Sequence, residues 1–189
     1  MKFTSELALF LKARYPIIYI NTIEEDRVEY IIRKNIKTNL NRSIYSWDFV
    51  DGYTNNPNNQ GFGKRNPLQA LELVERLTSE TPALFLLKDF HRFLTDISIS
   101  RKLKNLSRIL KLRPKTIVII SSELNIPNDL QDLITVLQFQ LPSENEISQE
   151  LSRLVSSLNI QIDSQLLEKL TRACQGLSLE RIRRVLSKI

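Results

Sequence analysis

A chain of 189 residues has the length of one domain, or of one core with a small appended unit, and folding should bury roughly 70% of its surface. With 42% hydrophobic and 25% charged residues it falls in the ordinary globular range, which excludes disorder, collagen-like repeats and disulfide scaffolds; a lone Cys174 and a lone His91 also exclude an internal disulfide and a zinc site of the Cys/His type. The net charge of +6 is concentrated between Ile97 and Ser122, where seven basic residues stand without an acid, while the rest of the chain is nearly balanced at 20 basic and 21 acidic residues.

In chain order, Met1 to Ile20 holds two short apolar runs broken by Lys12, Arg14 and Pro16, so neither a signal peptide nor a membrane span is readable there. Pro16 precedes the first run of strand length, Ile17 to Ile20, and a helical pattern follows from Glu24 to Lys37. Ser43 to Val50 alternates as a second strand. The segment Asp51 to Asn66 holds three of the four glycines and predicts a mobile connection. Pro67 to Leu77 reads as a helix with Asn66 as N-cap and proline at its first position. Pro82 introduces a third strand, Ala83 to Leu87, and Ile99 to Leu112 is an amphipathic helix with Ile99, Leu103, Leu106 and Leu110 on one stripe. Pro114 precedes a fourth strand, Thr116 to Ile120, and Pro142 closes a fifth, Thr135 to Leu141. Strands alternating with helices predict an α/β fold with a parallel five-stranded sheet covered on both faces. Residues 143–189 contain no proline and read as three amphipathic helices, with a Ser143/Glu146 capping box, Asp163 as a cap, and Gly176 with Ser178 separating the last two. The expected division is 1–142 and 143–189. The last helix keeps Leu179, Ile182, Leu186 and Ile189 on one face with no C-cap, so a continuation beyond Ile189 is expected.

The α/β pattern raises the question of a phosphate loop, which the glycines decide. The single Gly-Lys pair, Gly63-Lys64, would need glycine at 58 and Ser or Thr at 65, but the chain has Asn58 and Arg65. The turn after the first strand, Asn21 to Asp26, offers no glycine and three carboxylates, which would repel a triphosphate and suit a helix dipole. The third strand delivers Asp89 at its carboxyl end, as a Walker B strand does, either to hold magnesium through water or as a strand-end carboxylate that caps or pairs locally. Phe90 follows, where a hydrolytic enzyme of that class has a glutamate. His91 has no oriented nucleophile and reads as a surface residue, so no catalytic residue and no metal ligand set are expected. Arg101, Lys102, Lys104, Arg108 and Lys111 form either a solvated helix face, a dock for an acidic protein surface or, less favoured for want of interleaved aromatic rings, a nucleic-acid contact. Arg181, Arg183 and Arg184 are either an exposed face or a group that reaches phosphates or a neighbouring subunit.

The order of these signals resembles the AAA+ ATPase core with its helical lid, a P-loop-NTPase-like sandwich. More closely, YPIIYINTIEEDRV (15–28), IYSWDFVDGY (44–53), LLKDFHRFL (86–94), SSELNIPNDL (121–130) and GLSLERIRRVL (176–186) look like the amino-terminal half of an AAA-domain family encoded in red-algal plastid genomes and in cyanobacteria. The resemblance implies an α/β core at 1–142 with a lid at 143–189, and a second AAA+ module downstream that carries ATP and magnesium. It aligns Asp89 with the Walker B aspartate, Ser122 with sensor 1 and Arg181 or Arg183 with sensor 2. The absent phosphate loop, Phe90, and the lack of arginine in Pro127 to Phe139 depart from the family pattern. The implied role is a degenerate, non-hydrolysing module that packs with or regulates an active module or other subunits of a homo-oligomer, in a plastid or the cyanobacterial cytoplasm. The alternatives are a weakly nucleotide-binding ATPase fragment and a polyanion-binding module acting through helix 99–112.

Overall fold

The computed structural model describes residues 2–54, 60–77, 81–157 and 162–186. The chain divides into two compact units, Met1–Phe139 and Gln140–Ile189. The first begins with helix α1 (Lys2–Lys12), then alternates β1 (Ile17–Asn21), α2 (Glu25–Leu40), β2 (Ser43–Asp48), β3 (Gly52–Thr54), α3 (Pro67–Arg76), β4 (Ala83–Lys88), α4 (Ile97–Leu110), β5 (Lys115–Ser121) and β6 (Ile134–Gln138). Two 3-10 turns, Phe90–Phe93 and Asn128–Leu130, follow β4 and β5.

The six strands form one sheet in the order β3-β2-β4-β5-β1-β6, parallel throughout except for the antiparallel β2–β3 pair. Successive side chains of a strand alternate between faces, so Ile17 and Tyr19 join one core while Ile18 and Ile20 join the other. The first face packs on α3 and α4 through Leu71, Val74, Leu103 and Leu106, and the second on α1 and α2 through Leu7, Leu11, Val28 and Ile32. Covering both faces is why β1, β4 and β5 read as continuous apolar runs. Each fully buried Ile or Leu contributes on the order of 1.5–3 kcal/mol.

The sequence expectations need three corrections. The sheet has six strands, because Gly52–Thr54 folds back on β2. Helix α1 was not anticipated. The described parts of 51–66 are built into the fold: Tyr53 is fully buried and its hydroxyl donates to the Ala70 carbonyl at 2.8 Å, and Trp47 Nε1 donates to the Gly63 carbonyl at 3.0 Å. The middle of that segment, 55–59, lies outside the described residues.

Local signals place the helices. Asn66 accepts from the Gln69 amide at 3.0 Å, and Asp96 caps α4 through Ser98 and Ile99. In the second unit, α5 (Glu144–Ser157), α6 (Ser164–Ala173) and α7 (Leu179–Leu186) pack around Ile147, Leu151 and Ile182. Ser143 and Glu146 form the capping box, and Asp163 accepts from the Leu166 amide at 2.6 Å. Ile189 lies outside the described residues.

Gly52 has φ +72°, and a Cβ there would meet the Gly61 carbonyl oxygen at 2.7 Å, whereas at Gly61, φ +73°, the nearest atom would be 3.8 Å away. Both alanine variants carry left-handed strain of about 1–2 kcal/mol, but only Gly52→Ala adds a backbone clash. Urea unfolding should show Gly52→Ala as the more destabilised by at least about 1 kcal/mol; equal midpoints would contradict the β2–β3 geometry.

Candidate functional site at the carboxyl edge of the sheet

After β1 the chain crosses to the face of α2, where Val28 and Ile32 are buried, and after β5 it crosses to the opposite face, where Leu130 is buried. Adjacent parallel strands whose continuations part in this way leave a crevice at their carboxyl ends, the position at which α/β sheets bind ligands. Here the two strand ends are tied to each other by backbone and side-chain hydrogen bonds. The Thr22 amide donates to the Ser121 carbonyl at 2.8 Å, and the Asn21 side-chain amide, oriented to satisfy both partners, donates to the Ser121 and Ser122 carbonyls at 3.2 Å. Ser121 Oγ bonds both the amide and the carbonyl of Glu123, and the Tyr19 hydroxyl donates to the same carbonyl.

The acidic turn is equally self-contained. Thr22 Oγ1 accepts from the Glu24 amide at 3.0 Å, and the buried Glu24 carboxylate takes Arg27 Nη1 at 2.5 Å. The Arg27 guanidinium lies 4.6 Å from the centre of the Phe139 ring.

Beside this turn is a charge cluster that sequence reasoning missed. Lys88 Nζ, at the end of β4, lies 3.0 Å from Glu25 Oε1 and 2.9 Å from Glu29 Oε2 on α2. Glu29 Oε1 also accepts from Arg33 Nε and Nη2, at 2.9 and 2.6 Å, and from the Ser46 hydroxyl of β2 at 2.7 Å. Burial opposes ionisation of Glu29, yet the bonds from Lys88, Ser46 and Arg33 outweigh it and hold the carboxyl at about 2. Lys88 is likewise disfavoured by burial but held up at about 12 by Glu29 and Glu25. The available signal was the Glu25/Glu29/Arg33 spacing of four on α2.

Asp89 is exposed, with φ +51°, its amide bonded to the Ile120 carbonyl at 2.9 Å and its side chain making no cap. Phe90 is fully buried against Trp47 and Phe93. The surface reading of His91 is corrected: it is 5% exposed, packed beneath the edge, with Nε2 3.8 Å from Glu123 Oε2 and a buried Nδ1 without a hydrogen-bond partner. Ser122 is exposed in the turn after β5. The structure therefore brings Asp89 and Ser122 to the same sheet edge, on neighbouring strands β4 and β5.

In the second unit, Arg183 Nε donates to Glu150 Oε1 of α5 at 2.6 Å, and Arg153 holds the same carboxylate at 2.7 Å; their hydrogen bonds, Arg153 first, keep Glu150 at about 2. Arg184 pairs with Glu180, and Arg181 is exposed.

The basic segment separates by orientation. Lys102 bonds Glu75 of α3 at 2.5 Å and Lys104 bonds Asp129 at 2.7 Å, whereas Arg101, Arg108 and Lys111 are exposed. Lys115 is buried and donates to the Val74 and Leu77 carbonyls at the end of α3. Among the described residues no group of three His, Cys, Asp or Glu side chains is placed to hold a metal, and no helix is long and apolar enough to cross a membrane.

A doubly wound parallel sheet followed by a three-helix unit is the architecture of P-loop AAA+ proteins. Solved structures with this fold include a variant of Thermotoga maritima RuvB (TM-score 0.60, 14% identity, covering 98% of this chain and 62% of that one) and the FIGL-1 AAA domain in complex with ADP (TM-score 0.61, 10% identity, 90% and 58%). Residues 3–139 match the model of the SpoVK-like AAA ATPase N-terminal domain, and 145–189 that of the SpoVK-like AAA ATPase second domain. The chain belongs to this SpoVK-like AAA ATPase family. It is 84% identical over its whole length to the uncharacterized AAA domain-containing protein ycf46 of Trieres chinensis and 58% identical to that of Guillardia theta. It spans 38% and 37% of those relatives, which are longer.

The ion cluster and Asp89 differ in what titration and substitution should do. Glu29 titrates near its ordinary 4.5 when unfolded and at about 2 when folded, so the unfolded chain binds more protons between those values. Its contribution is present above about pH 5 and is lost as pH falls through about 2; Glu29→Gln should flatten the fall in stability over this window, leaving the parts due to Glu150 and to Asp129, which the Lys104 and Ser100 bonds also hold below its ordinary value. Asp89→Asn should change the denaturant midpoint by less than about 1 kcal/mol equivalent, because asparagine tolerates the left-handed conformation and no cap is lost. An unchanged pH slope in Glu29→Gln, or a loss of about 3 kcal/mol in Asp89→Asn, would contradict these assignments.

Proposed function

We propose that this segment is a degenerate AAA+ module that does not hydrolyse ATP, and that it packs with or regulates an ATP-binding module in the remainder of a longer protein. The observation that carries the reading is the carboxyl end of β1, where the phosphate-binding turn would lie. Glu24, Glu25 and Asp26 stand there without a glycine, Glu24 is buried against Arg27, and Glu25 is committed to Lys88. These residues do not fit a nucleoside triphosphate: carboxylates repel its charge, and the nearby cations are already paired. Phe90 supports the same conclusion, since a residue in the core beneath Trp47 leaves no carboxylate to orient an attacking water.

In this reading Asp89 and Ser122 are vestiges of magnesium and phosphate contacts, residues 143–189 are the lid of a 1–142 core, and Arg183 has become a brace between α5 and α7, leaving Arg181 as the lid arginine without an ion pair among the described residues. ATP and magnesium belong to the downstream module that the length of the relatives supports. Relatives in Trieres chinensis, Guillardia theta and Pyropia yezoensis support a plastid location. The 189-residue chain should show no magnesium-dependent ATP turnover above buffer, and the full-length protein should change its ATPase rate or assembly when residues 1–189 are removed. Turnover by the chain that Asp89→Asn abolishes, or a full-length enzyme indifferent to the deletion, would overturn the proposal.

A further inference from the structure

The amino edge of the sheet, opposite the candidate site, gathers cations without carboxylate partners. Arg14 Nη1 donates to the Leu112 carbonyl at 3.1 Å, and Arg42 donates to the Leu11 and Pro114 carbonyls at 2.8 and 3.0 Å. These bonds draw together the end of α1, the start of β2 and the turn between α4 and β5, and the same segments carry Lys12, Lys111, Arg113 and Lys115. Among the described residues no salt bridge joins any of these cations to a carboxylate. The acids that flank them in the chain are Glu6, about two turns back along α1, and Asp132, ahead of the edge strand β6. Burial first, and then the charge of Arg14, lowers the pKa of Arg42; Lys115 is lowered in the same way by burial and Arg113, so like charges meet here. Arg14 itself has φ +58° just past the end of α1, with the Tyr15 amide donating to the Phe10 carbonyl at 3.0 Å, a place where glycine is usual. The fold therefore holds a cation in a strained conformation at the centre of the cluster.

Bare apolar side chains stand among these cations. Leu112, in the turn between α4 and β5, is 79% exposed and lies between Lys111 and Arg113 in the chain. Leu9, in the last turn of α1, is 63% exposed. Tyr15, 37% exposed, adds a ring stacked on Phe10.

We propose that the amino edge of the sheet is a docking surface for a bilayer containing anionic lipid, with Leu9 and Leu112 entering the headgroup region and Lys12, Arg14, Lys111 and Arg113 meeting anionic headgroups. Apolar insertion and charge attraction together supply the two signals that stable attachment needs without a spanning helix. The leucines favour this occupant over a nucleic acid, whose phosphates gain nothing from aliphatic side chains, and Tyr15 already has one face covered by Phe10. They also favour it over an acidic protein, because a protruding leucine needs a surface that yields to it. A bilayer does so, whereas a close-packed protein does so only with a matching hollow. The proposal needs no nucleotide and stands apart from any influence on an ATP-binding module.

Co-sedimentation with vesicles tests it, using phosphatidylcholine alone and phosphatidylcholine with about 30% phosphatidylglycerol. The 189-residue chain and the full-length protein should both bind the anionic vesicles and not the neutral ones, with affinity falling at least about tenfold between roughly 50 and 500 mM salt. A cation variant, Lys12→Gln with Lys111→Gln and Arg113→Gln, should bind about a hundredfold more weakly. A leucine variant, Leu9→Ser with Leu112→Ser, should lose at least about tenfold. Both should keep the parent's thermal unfolding, since none of these side chains makes an ion pair or hydrogen bond among the described residues. A control that removes charge elsewhere, Arg92→Gln with Arg101→Gln, should stay within about threefold of the parent. No binding to anionic vesicles, equal binding to neutral ones, variants that bind like the parent, or a control that fails as the cation variant does would overturn the proposal. So would a full-length protein that ignores the vesicles, which would give this edge to the remainder of the longer chain. Binding of a random single-stranded oligonucleotide that the cation variant loses and the leucine variant keeps, with no vesicle binding, would assign the cluster to nucleic acid instead.

Discussion

Lys88 has to be neutralised where it stands, and the carboxyl edge of the sheet is arranged around that requirement. A half-buried ammonium at the end of a central strand is costly alone, and Glu25 and Glu29 compensate it only because α2 lies across β4 at that depth. Through Arg33 and Ser46 the same carboxylate reaches β2, so one ionic network ties the first helix after β1 to two strands. In the proposed reading the tie also bears on nucleotide. The α2 amino terminus would attract phosphate by its dipole, but its acidic residues are held by the protein's own cations.

The excess of positive charge has a structural explanation over part of the chain. Buried Arg42 donates to the Pro114 and Leu11 carbonyls, Arg14 to the Leu112 carbonyl, and Lys115 to the end of α3. Burial pushes the Arg42 and Lys115 pKa values down, and the carbonyls at these helix ends supply the partial negative charge that each cation meets. Cations at the amino edge of the sheet therefore meet carbonyls at helix ends, and the exposed cations left in the basic segment around α4 include Arg101, Arg108 and Lys111.

Much of the core was legible in the sequence because strands covered on both faces are uninterrupted apolar runs, and prolines bound them. Caps at Asn66, Ser143 and Asp163 were legible because capping is local chemistry. Helix α1 was not, since only Leu7 and Leu11 are deeply buried and two residues make too thin a stripe. Strand β3 has three residues and exists by pairing with β2, which no local pattern announces. At the edge, Asp89 and Phe90 were found by their place after an apolar strand, while the Lys88 cluster and buried His91 depend on contacts between elements distant in sequence.

The central claim is that the edge of this sheet is closed to nucleotide by the chain's own hydrogen bonds and ion pairs. Thermal unfolding with and without magnesium ATP tests it most directly, because any ligand that prefers the folded state raises the midpoint. At a hundredfold excess over Kd the gain would be about 2.7 kcal/mol, on the order of 5 to 10 °C for a chain of this size. The account predicts no shift at millimolar magnesium ATP; a saturable rise of several degrees would contradict it.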